Sequence, residues 1–79
     1  MAQAKPEELL REAVAHHQAG EVARAEALYR AVLRARRDEV NALHLLGVAL
    51  RQQGRLAEAL KHLDRAVALR PDNALFRAN

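Results

Sequence analysis

Apolar residues return at helical spacing in four stretches of the chain, each bounded by a residue that stops a helix. In the first, Leu9, Leu10, Ala13 and Val14 share one face. Pro6 suits the opening turn because it lacks an amide hydrogen, Glu7 and Glu8 complement the positive end of the helix dipole, and Gly20 closes the element. The second stripe is Val22, Ala25, Leu28, Tyr29, Val32 and Leu33, with Arg34, Arg36 and Arg37 placed in its last turn. Val40, Leu43, Leu46, Gly47 and Leu50 make the third, with Asp38 as the candidate N-cap and Gly54 as the stop. The fourth starts near Leu56, is expected to bury Ala59, Leu60, Leu63, Ala66 and Val67, and ends by Arg70 because Pro71 disfavours a helical residue before it. A fifth short helix, capped by Asp72 and Asn73, is expected to run to Asn79. The short connections predict antiparallel neighbours.

The pattern repeats. Displaced by 34 residues, Gly20 falls on Gly54, Ala25 on Ala59, Val14 and Ala15 on Val48 and Ala49, Gln18 on Gln52, and Asp38 on Asp72. A constant period of this size marks a repeat architecture, whose units bury their apolar faces by stacking. The expected division is a disordered 1–5, units at 6–39 and 40–73, and a partial third unit or capping helix at 74–79. Gly47 is unusual, because a mid-helix glycine costs about 1 kcal/mol relative to alanine. A close helix crossing against Ala25 and Ala59 would account for it, and unit one carries Ala13 at that place.

Composition strengthens the all-α reading. Ala, Leu, Arg and Glu dominate the 79 residues, while Thr and Ile are absent. A chain this short has a thin core, and without cysteine it has no disulfide or thiolate metal site to reinforce it. No stretch approaches the roughly 18 apolar residues of a membrane span, and no basic segment leads into an apolar run at the N-terminus. A cytoplasmic location is the expectation. The net charge of +3 is spread along the chain.

The second unit resembles a tetratricopeptide repeat. Leu43, Leu46-Gly47 and Leu50 on its first helix, Gly54 in the turn, Leu56, Ala59, Leu63 and Ala66 on its second helix, and Pro71 at its close all follow that pattern. The first unit keeps Leu9, Gly20, Val22, Ala25 and Tyr29, but has Glu12-Ala13 for Leu-Gly, Val32 for Ala and Arg37 for Pro. The resemblance implies a right-handed superhelix of helix pairs whose first helices line a concave, peptide-binding groove. The groove side chains it implies are Glu7, Leu10, Val14, His17 and Gln18 from unit one, and Asn41, His44, Leu45, Val48, Arg51 and Gln52 from unit two. Apolar Leu10, Val14 and Val48 would supply burial; Gln18, Asn41, His44, Arg51 and Gln52 would orient the ligand. Leu10 and Val14 stand where chaperone-binding members clamp a carboxylate with Lys and Asn, which argues against that subtype. The run Asn41 to Gly47 is also similar to repeats ahead of O-linked N-acetylglucosamine transferase-like or sulfotransferase-like domains, but only Asn79 matches a peptide-holding asparagine there.

Other chemistries fare worse. His16 and His17 project about 100° apart on a helix, and no histidine pair has the i, i+4 spacing of a helical metal site. Arg30, Arg34, Arg36 and Arg37 cluster, yet Glu26 supports Arg30 from four residues before it, and stacking aromatics are nearly absent, which argues against a nucleic-acid partner. Glu12 is expected to pair with His16, and no carboxylate is expected to be buried. Nothing in the pattern calls for a cofactor or suggests a catalytic group. The expected function is non-catalytic binding of a protein or peptide partner. The alternatives are a self-assembling unit, joined through terminal surfaces that include Leu75 and Phe76, and the targeting arm of a longer transferase.

Overall fold

The computed structural model describes residues 4–70. Among them are four helices, α1 (Pro6–Gln18), α2 (Val22–Ala35), α3 (Val40–Gln52) and α4 (Leu56–Leu69), and no strand. α1 packs on α2, α3 on α4, and α2 on α3, so two helix hairpins stack through their adjoining members. The expected fifth helix, with Leu75 and Phe76, lies outside the described residues.

The bends are twins. Gly20 has φ 85° and Gly54 φ 78°, a region that L side chains enter only with strain. At the first, Gly20 N–H donates to the His17 carbonyl at 3.1 Å and Glu21 N–H to His16 at 2.9 Å. At the second, Gly54 N–H donates to Arg51 at 2.9 Å and Arg55 N–H to Leu50 at 3.0 Å. Both are paired-carbonyl helix stops in which glycine alone makes the turn.

Two local expectations change. Glu39, rather than Asp38, caps α3, its carboxylate accepting from Asn41 N–H at 2.9 Å; Asp38 instead takes an ion pair from Arg65. α2 stops at Ala35, so Arg36 and Arg37 lie beyond the helix, and Arg36 reaches back to Glu7 at 2.6 Å. Lys5 precedes α1 in extended conformation, and its carbonyl accepts from Leu9 N–H at 3.0 Å.

One core runs through all four helices: Ala13, Ala25, Tyr29, Leu46, Ala49, Leu50 and Ala59. A second cluster of Leu43 and Ala66 extends it, with Leu33, Val40 and Val67 against it. α3 lies between α2 and α4, so it is buried over a wider arc than the stripe predicts, taking in Ala42, His44 and Ala49. Gly47 faces α4: a Cβ there would lie 2.6 Å from Leu63 Cγ and 3.2 Å from the Ala59 carbonyl oxygen. The close crossing is therefore with Ala59 and Leu63 of the same hairpin; no Ala25 atom is among the nearest contacts. Leu60 is 57% exposed and Leu56 58%, so the expected burial of Leu60 does not occur.

Candidate functional site

Leu10, Val14, His17 and Gln18 lie at i, i+4, i+7 and i+8 along α1 and so share one face. Asn41, Leu45, Val48, Arg51 and Gln52 do the same on α3. A side-chain bridge joins the faces. His17 Nε2 faces the amide oxygen of Gln52 at 2.6 Å, which makes Nε2 the protonated, donating nitrogen. His17 Nδ1 then accepts from the Tyr29 hydroxyl at 2.8 Å. The two rings meet edge to face, 5.7 Å between centroids at 66°. Tyr29 is wholly buried, and burial pushes its phenol up to about 12, so it stays a donor at any physiological pH.

Around this bridge, Leu10, Val14 and Leu45 are half-buried, packed against the core yet partly open; Val48 is also half-buried. Gln18, Asn41, Arg51 and Gln52 are exposed. His44 departs from the expected arrangement: it is only 6% exposed and offers little surface to a ligand. Burial, together with the nearby Arg51 charge, pushes its imidazole below the ordinary value. The cause is the central position of α3, which encloses residues on both of its flanks.

The most elaborate polar cluster extends the expected Glu26–Arg30 pair into the next hairpin. Glu26, whose side chain is 14% exposed, binds Arg30 at 3.0 Å within α2. It also receives Gln53 at 2.9 Å and Arg55 at 2.9 Å from the bend of the next hairpin. Arg30 and Arg55 both continue to Glu58. Burial works to raise the Glu26 carboxyl, but the hydrogen bonds from Gln53, Arg30 and Arg55 outweigh it and hold the group below the usual carboxylate range. The signal available in the sequence was the repeat itself, since Glu26 coincides with Leu60, a position that faces the next unit. His16, expected to pair with Glu12, instead binds Glu21 through Nδ1 at 2.5 Å and accepts from Arg24 at 3.4 Å.

Among the described residues, no group of three or more His, Cys, Asp or Glu side chains could hold a metal ion, and no helix is long and apolar enough to cross a membrane. Stacked helix hairpins with a continuous core and glycine bends at fixed period define a helical-repeat scaffold. A model of the tetratricopeptide repeat matches residues 10–74, and the chain belongs to that family. The family is a non-catalytic scaffold whose general role is protein–protein interaction. The match is to the repeat alone and carries nothing of the transferase-linked subgroup. No curated protein matches the chain.

Proposed function

We propose that the chain captures a peptide or partner helix along the face made by α1 and α3. The observation that carries this reading is the His17–Gln52 bridge, anchored by buried Tyr29. It ties the first helices of the two units in register, so the face is organised before a ligand arrives, which lowers the ordering cost of binding. Leu10, Val14 and Val48 supply apolar contact; Gln18, Asn41, Arg51 and the outer edge of Gln52 supply orientation. An amphipathic segment with acidic groups fits this mixed, mildly basic lining.

The test is selection from a displayed random-peptide library, followed by affinity measurement on the selected peptides. Val14→Glu and Arg51→Glu should each weaken binding by about tenfold or more, as expected for a contact at the centre of an interface. Unchanged affinity in both variants would sink the reading.

Self-assembly is the second reading, favoured by the exposure of Leu56 and Leu60 side by side on α4. In that case Leu60→Asp and Phe76→Asp shift the sedimentation of the chain at high concentration, while the α1/α3 variants leave it unchanged. A monomer throughout would remove it.

A further inference from the structure

A second recess lies between α2 and α4. Leu46 and Val48 are two residues apart on α3 and so project about 200° from each other. The recess, lined by Leu46, therefore opens on the far side of α3 from the proposed groove. It consists of two contiguous cavities of about 400 and 410 Å³ that share Leu33, Arg37 and His62. Arg30 and Arg34 flank one end and Lys61 and Arg65 the other.

Its charge is one-sided. Among the described residues no Asp or Glu lines either cavity. Arg30 is engaged by Glu26 and Glu58, and Arg65 by Asp38. Arg34, Arg37 and Lys61 are exposed and have no ion-pair partner among the described residues. His62 feels the balance of these charges: burial is the largest cause of its lowered pKa, the positive charges of Arg30 and Lys61 add to it, and Glu58, outside the cavity lining, opposes them. The floor is apolar, with half-buried Leu33 above buried Leu43 and Leu46.

We infer that this α2/α4 trough is a second binding site, and that its occupant is an acidic protein segment bearing an aliphatic side chain. Cations without partners on walls without carboxylates select an anionic ligand. Leu33 and the alkyl stems of the surrounding Arg and Lys side chains select an aliphatic one. Inorganic phosphate satisfies only the first demand. A nucleic-acid strand lacks its stacking partner, because among the described residues no Phe, Tyr or Trp lines the trough and Tyr29 is wholly buried.

The test titrates the 79-residue chain with a short labelled peptide of Glu and Leu, a matched peptide of Glu and Gly, and an oligo-thymidine strand. The Glu/Leu peptide should bind best. Arg37→Glu combined with Lys61→Glu should weaken it by about tenfold or more, as charge reversal at a complementary surface does. Both residues are exposed, and unchanged thermal unfolding of the variant verifies that the fold persists. Because the α1/α3 face is itself proposed to take an acidic amphipathic segment, the titrations are made in a Val14→Glu/Arg51→Glu background, where the binding that persists belongs to the trough. In that background, equal binding of the Glu/Gly peptide, tighter binding of the oligonucleotide, or no binding at all would each overturn the assignment.

Discussion

Arg55 donates from Nη1 to both carboxylate oxygens of Glu26, at 2.9 and 3.0 Å, across the boundary between the hairpins. The contact sits at the mouth of the seam, where Glu26 is largely enclosed but Arg55 is 40% exposed. Removing the acceptor leaves Arg30 and Arg55 with Glu58 and Gln53 with the Ala49 carbonyl, so the loss is partial. Glu26→Ala should therefore cost about 1 kcal/mol, toward the upper end for pairs that retain solvent access. Urea unfolding should show a smaller loss near 1 M salt, where charges are screened over roughly 3 Å.

The buried phenol offers a cleaner case. Tyr29→Phe preserves the ring in the core and deletes one hydroxyl, leaving His17 Nδ1 without its donor. Because His17 is itself half-buried, stability should fall by about 1 kcal/mol. Gln52→Ala, at an exposed residue, should cost less while loosening the α1/α3 face. Denaturant midpoints for the two variants check the order.

Gly47→Ala sets two effects against each other. Helix propensity favours alanine by about 1 kcal/mol. The added methyl, however, would lie 2.6 Å from Leu63 Cγ, a branch point in a side chain only 4% exposed. Overpacking of this kind costs about 1–3 kcal/mol, so the net change should be destabilising. Leu63→Ala should relieve the clash, making the double variant more stable than the sum of the single effects predicts.

Acid should weaken the fold before the carboxylates titrate. His44 and His62 have pKa values lowered in the folded chain, chiefly by burial, so the unfolded chain takes up protons first as pH falls below 6.5. Their contribution is fully present above that value and declines as pH drops toward their folded values. Glu26, whose pKa is held below its ordinary 4.5 in the folded chain, adds a separate loss at lower pH. Unfolding free energy measured between about pH 7.5 and 5 should fall with pH, and His44→Leu should flatten that slope.

Helix positions and the pairing of hairpins were legible because Gly20, Gly54 and the alanines at Ala25 and Ala59 mark geometry that few other residues satisfy. Which polar group meets which was less so. Glu12 and Glu21 both lie within reach of His16 by chain distance, and only the bend at Gly20 decides for Glu21. Periodicity likewise assigns Leu60 and Glu26 to one face without saying that Glu26 meets the next hairpin's bend while Leu60 stands exposed. His44 is more buried than the stripe implies for a related reason: a single stripe describes one buried side, whereas α3 has neighbours on two.

The glycine bends have a consequence beyond reversing the chain. Since backbone amides close the turn after α1 and α3, the side chains flanking each glycine are left for other partners, although the Gln53 side-chain amide also donates to the Ala49 carbonyl at 3.1 Å. In the second bend both flanks, Gln53 and Arg55, reach over to Glu26; in the first, Glu21 fastens His16. The second three-residue corner thus doubles as a rivet between hairpins, whereas the first fastens only its own, and swapping the outer two letters of the second would retune how firmly the hairpins grip while leaving the corner itself intact.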